Sequence, residues 1–132
     1  MMSQPEMKLP LTLQYNHLAL SALWNIYGVY LISQGLPSQG PTASLSVVGI
    51  LALFGLLFFL GNRYSKYLYL GATLLAVVIF MPAIIGVFTK DPTSWTSPAW
   101  RWGGLVLNLS GVLGALLGIT RMWRGGKQPA RS

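Results

Sequence analysis

The sequence predicts an all-α fold: an integral membrane four-helix bundle with short loops and both termini cytoplasmic. Three observations carry that expectation. The 132-residue chain is 53% hydrophobic and only 8% charged, with a mean hydropathy of +0.55. Ordinary soluble domains hold about 25% charged residues. The apolar residues gather in four runs near the roughly 17–25 residues that cross about 30 Å of hydrocarbon. None of the runs contains Asp, Glu, Lys or Arg. In lipid every backbone amide must be satisfied within a helix or a closed barrel. Contiguous stretches such as Leu56-Leu57-Phe58-Phe59-Leu60 lack the period-two alternation of a barrel strand, which leaves helices.

A single transmembrane domain over 1–132 is expected, with spans at 17–33, 44–60, 67–88 and 103–120. The connections 35–43, 61–66 and 89–102 carry Gly, Pro and Ser that stop helices. Residues 1–16 read as an N-terminal tail and 121–132 as a basic C-terminal tail. The first span is the most dilute, with His17, Ser21, Asn25 and Ser33 in it and Gln34 directly after it. No small-residue cleavage site closes it, so a cleaved signal peptide is not expected.

Nine Lys and Arg against two acids give a net charge of +7. Their placement excludes a nucleic-acid face, because they flank the apolar runs instead of forming one surface. Lys8, Arg63, Lys66, Arg121, Arg124, Lys127 and Arg131 would lie on one side of the bilayer, and only Lys90 and Arg101 on the other. That asymmetry places both termini in the cytoplasm of a multi-pass cell-membrane protein, most simply in a bacterial inner membrane. The basic tail would meet anionic headgroups. Tyr and Trp collect near the ends of the runs, as in an interfacial aromatic belt: Tyr27, Tyr30, Trp95, Trp100 and Trp102 on one side, and Tyr64, Tyr67, Tyr69 and Trp123 on the other.

Few residues could carry chemistry. His17, Ser21 and Asn25 recur every four residues and share a face with Trp24 and Gly28, which should look inward, since a polar side chain facing lipid loses its partners. His17 is expected near the cytoplasmic end, within reach of water, and Asn25 near mid-depth as an interhelical hydrogen-bond donor. A carboxylate at position 25 would then be costly. In the fourth run Ser110, Gly114 and Gly118 are spaced four apart, with Gly111 and Ala115 beside them. This bare side invites close helix packing, and Asn108 stands within reach of Asn25. Pro82 should kink the third helix near Val78.

With no Cys, one His and no membrane carboxylate, the chain lacks ligands for zinc or bis-His haem and a base-and-acid pair for hydrolysis. No enzyme activity, cofactor or metal is expected. A tandem repeat at an offset of 57 rests on Pro41, Gly61, Pro98 and Gly118 and little else. In length and helix count the chain is similar to small multidrug-resistance-type carriers. The glutamate of their first helix is missing, with Asn25 near that depth, so the likeness is architectural. The expected function is a non-enzymatic accessory, assembly or interaction subunit of a larger membrane complex, with other membrane subunits or a second copy as partners. The alternative is a small oligomeric transporter or flippase with Ser21, Asn25, Asn108 and Pro82 along its path.

Overall fold

A computed structural model describes residues 5–41 and 43–127. Four helices account for most of them, α1 (Lys8–Ser33), α2 (Leu45–Tyr64), α3 (Lys66–Thr89) and α4 (Pro98–Lys127), with short 3₁₀ turns at Pro5–Met7 and Pro92–Ser94. No strand occurs among the described residues. Helices α2, α3 and α4 are long and apolar enough to cross a membrane, and α1 is not. Four spans were expected. The difference lies in Gln14, Asn16, His17, Ser21 and Asn25, which dilute the first helix below that level.

The helix ends follow local chemistry, and several differ from the expected boundaries; α4 runs on to Lys127, through the first part of the expected C-terminal tail. Helix α1 starts at Lys8, so most of the expected tail is helical. It ends in a Schellman turn: Leu36 N–H donates to the Leu31 carbonyl and Gly35 N–H to that of Ile32. Gly35 sits at φ +75°, where a Cβ would be strained. Helices α2 and α3 are joined by Ser65 alone, not by a loop over 61–66. Ser65, extended at φ −155°, closes α2 by donating N–H to the Gly61 carbonyl and opens α3 by accepting from Leu68 N–H. Such a turn needs the helices nearly in contact, and a Cβ on Gly61 would lie 2.5 Å from the Tyr69 backbone nitrogen. Helix α4 opens at Pro98, ahead of the expected 103. Pro98 reads as a helix stop in sequence, but the first helical position needs no donor and proline's fixed φ suits it. Helix α3 continues through Pro82 without interruption.

Contact positions fix the register. Leu13 and Gln14 of α1 face Gly114, His17 faces Gly111, and Trp24 faces Gly104, so α1 and α4 run antiparallel. Met7 is buried in the same cluster as Met122, and Arg121 donates to the Glu6 carbonyl at 3.0 Å, extending the pairing to the start of the chain. The packed part of α1 therefore begins well before the expected 17–33 window. Leu18, Leu51, Phe54, Phe58, Tyr69, Ala72 and Ala76 form the core. Phe54 and Phe80 meet edge-on at 5.8 Å. Outward stand Leu23, Leu45, Leu74, Val78, Val106 and Leu116, each more than half exposed. The apolar surface thus lies outside, around a core seeded with polar groups.

At the end of the bundle bearing Ser65, the turn end, Arg63 and Lys66 stack on Tyr64 and Tyr67, and Lys66 also on Trp123. Arg124 is exposed. Lys127 is the last residue of α4, its side chain lies outside the described residues, and so does Arg131.

Candidate functional site

A polar stripe runs along α1 at Gln14, His17, Ser21 and Asn25, spaced three, four and four residues, which keeps it on one side of the helix. Three of the four hold a different helix. Gln14, 3% exposed, accepts from the Tyr69 hydroxyl at 2.6 Å and donates to the Thr73 hydroxyl at 3.3 Å, tying α1 to α3. His17, also 3% exposed, meets Asn108 of α4 with Nε2 and Oδ1 at 3.0 Å. The Asn108 amide donates to the Gly104 carbonyl, which turns its oxygen toward His17, so Nε2 carries the hydrogen. Asn25 donates to the Ser21 carbonyl and accepts the backbone N–H of Ser44, the N-cap of α2, at 3.0 Å.

Three expectations change here. His17 does not reach water: the Phe80 ring stands edge-on at 4.8 Å, and a Cβ on Gly111 would collide with the imidazole. Asn25 does not lie at mid-depth beside Asn108. It stands level with the α2 N-terminus, because α1 continues about two turns beyond α2. Trp95 and Tyr69, both expected in an interfacial belt, are buried, 8% and 0% exposed. Gln14 and Tyr69, which make the shortest buried link, were absent from the expected site. The spacing of 14, 17, 21 and 25 is the signal that would have found Gln14.

The α4 glycines divide their work between two neighbours. A Cβ on Gly114 would come within 2.8 Å of Leu13 and 3.2 Å of the Gln14 backbone nitrogen, while one on Gly118 would overlap the Tyr69 hydroxyl. Gly118 thereby makes room for the Tyr69–Gln14 bond. Ser110 donates back to the Leu107 carbonyl at 2.6 Å and holds no other helix.

Beside the stripe, at the end carrying the two long connections (the loop end), lies a cavity of about 330 Å³. Ser21, Asn25 and Asn108 line one side, and Leu51, Phe80 and Val87 lie among the apolar residues of the others. Lys90, Trp95 and Arg101 also line it. Arg101 donates to the Val87 carbonyl through Nε at 3.1 Å and Nη2 at 2.7 Å, satisfying a carbonyl in the last turn of α3, where the helix dipole favours a cation. Its guanidinium lies over Trp102 at 4.6 Å and Trp95 at 5.7 Å. In the adjoining loop, Asp91 accepts from Thr93 N–H and its hydroxyl, and these two bonds hold the carboxyl below its ordinary value. At the level of Gln14 and His17 a second void measures only about 10 Å³, near the lower limit for one water.

Among the described residues no three His, Cys, Asp or Glu side chains gather as metal ligands. Ser21 and His17 share the stripe, but His17 Nε2 is engaged by Asn108. Compared with protein families, curated proteins and solved structures, the chain matches none.

Proposed function

We propose that the chain is an integral membrane protein with all four helices in the bilayer, both termini cytoplasmic, and a non-enzymatic role as an accessory or assembly subunit of a larger membrane complex. One observation carries the reading: Gln14, His17 and Asn25, the polar side chains best suited to chemistry, are each engaged in joining α1 to another helix. Those bonds also answer the objection to α1 as a span. A helix too polar to face lipid alone becomes stable there when its polar stripe is paired inside the bundle. The apolar outer faces of α2, α3 and α4 then meet lipid or a partner's helices. The seven-to-two distribution of basic residues supports cytoplasmic termini, and a bacterial inner membrane is the simplest setting.

A small oligomeric carrier is the second reading, favoured by a specific observation: Ser21, Asn25, Asn108 and Pro82 all line the 330 Å³ cavity. Purification from native membranes in mild detergent separates the two. The subunit reading expects stoichiometric co-migration with a larger membrane protein that loses stability when this chain is deleted. A discrete homo-oligomer with no such dependence favours the carrier. Orientation is checked with reporter fusions: cytoplasmic reporters after Lys66 and at the C-terminus should be active, and one within 93–98 should report export.

A further inference from the structure

We propose that the loop-end cavity binds the headgroup of a phosphate-bearing lipid whose chain leaves sideways between α2 and α3. The inference rests on the membrane reading above and adds a ligand to it. Three features of the cavity converge on this chemistry.

The first is charge. Lys90 and Arg101 both line the cavity, and the chain holds only two acids. Glu6 lies at the opposite end beside Arg121, and the Asp91 carboxylate accepts two bonds from Thr93. Arg101 is fixed by a carbonyl, which orients the guanidinium without cancelling its charge. Two cations thus border the cavity, and the acid beside them in sequence, Asp91, is taken up by Thr93.

The second is hydrogen-bonding capacity. The Ser21 hydroxyl lines the cavity and bonds no other described residue, and the Asn25 and Asn108 amides each place only one N–H on a protein carbonyl. A wall of donors beside two cations, with no carboxylate, matches the oxygens of a phosphate.

The third is the opening. Ile50 of α2 and Ile79 of α3 line the cavity and yet are 42% and 43% exposed, and Ala83 of α3 is exposed as well. Exposed apolar residues of two helices that are apolar enough to span a bilayer thus border the cavity, and it is between them that the chain would leave. A freely diffusing polar ligand has no use for an apolar side door, whereas an alkyl chain leaving through it stays in hydrocarbon. The volume, about 330 Å³, is at the lower end of ordinary ligand pockets, which suits a headgroup and the first carbons of a chain.

The test uses the full chain in dodecyl maltoside, titrated with dodecyl phosphate and followed by tryptophan fluorescence, since Trp24 and Trp95 line the cavity. A saturable change is expected, and neither inorganic phosphate nor dodecanol should reproduce it. Lys90→Gln, at an exposed residue, removes one charge-assisted contact and should raise the half-saturation concentration about tenfold. Gly86→Leu should abolish saturation: a Cβ there meets only Lys90 methylenes at 3.5–3.9 Å, so the added side chain fills cavity space without striking backbone. A linear response, or one unaltered by both substitutions, overturns the proposal. Equal binding of inorganic phosphate assigns the site to free anion and overturns it as well. A chain that stays in solution without detergent would instead refute the membrane reading itself.

Discussion

The two ends of the bundle use the same four helices and differ in how their polar groups are closed. At the turn end, a one-residue connection brings α2 against α3, Gly61 lets the backbones approach, and Gly118 opens a slot for the Tyr69 hydroxyl. Tyr69 is 0% exposed and Gln14 3%. At the loop end, two longer connections hold the helices, and the comparable polar residues Ser21, Asn25 and Asn108 border open space. At the turn end the small residues Gly61 and Gly118 meet Tyr69 and close the bundle, whereas at the loop end Gly104 meets Trp24 and Gly40 meets Trp95 beside a space that stays open. In a membrane this contrast decides stability more than in water, because association between helices depends on contact rather than on escape from solvent.

The sharpest test of the contrast is a pair of glycine substitutions. Gly118→Leu should drive a side chain into the Tyr69 hydroxyl and cost about 3 kcal/mol, visible as lost folded yield and a lower Tm in detergent. Gly86→Leu at the loop end, where a Cβ meets only Lys90 methylenes at 3.5–3.9 Å, should cost much less. Equal losses would mean that the ends pack alike. Next in size, Tyr69→Phe leaves the Gln14 Oε1 buried without its donor and should cost about 1 kcal/mol in thermal unfolding. Asn25→Leu should cost less, about 0.6 kcal/mol, the average for polar contacts between membrane helices. Asn25→Asp should be milder still: it retains an acceptor for Ser44 N–H at the α2 N-terminus, where the helix dipole favours negative charge. That ranking reverses the one drawn from a mid-depth Asn25, and denaturation of both variants decides it.

The smallest expected effect lies in the loop. Asp91 titrates below its ordinary value because Thr93 N–H and hydroxyl bond the charged form. The contribution is therefore present above the unfolded-state pKa and is lost as pH falls through the lower folded value. Thr93→Val removes the hydroxyl and keeps the N–H, so an NMR titration of Asp91 should move only part of the way back up. An unchanged midpoint would leave the hydroxyl without influence.

Much of the architecture was legible because apolar run length and helix punctuation are local properties: α2 and α3 lie close to the runs expected at 44–60 and 67–88. Helix starts were less legible, since Pro98 stops or starts a helix depending on whether the chain before it is helical. Helix α1 was misplaced because run length looks for apolar residues, whereas this helix is held by Gln14, His17 and Asn25. Its inward face could be read from spacing. The partners could not, because only the relative height of the helices sets His17 beside Asn108 and Asn25 beside Ser44.

The central claim, a sealed turn end and an open loop end on one polar stripe, is tested most directly by thiol accessibility. The chain has no Cys, so single replacements report without background. Ser21→Cys places a thiol at the cavity and Thr73→Cys places one at the sealed end, where Thr73 is 0% exposed. With the chain reconstituted in vesicles, a membrane-impermeant methanethiosulfonate applied from the side of Lys90 and Asp91 should label Ser21→Cys rapidly and leave Thr73→Cys unlabelled. Full protection of Ser21→Cys, or labelling of Thr73→Cys at a similar rate, would contradict the account.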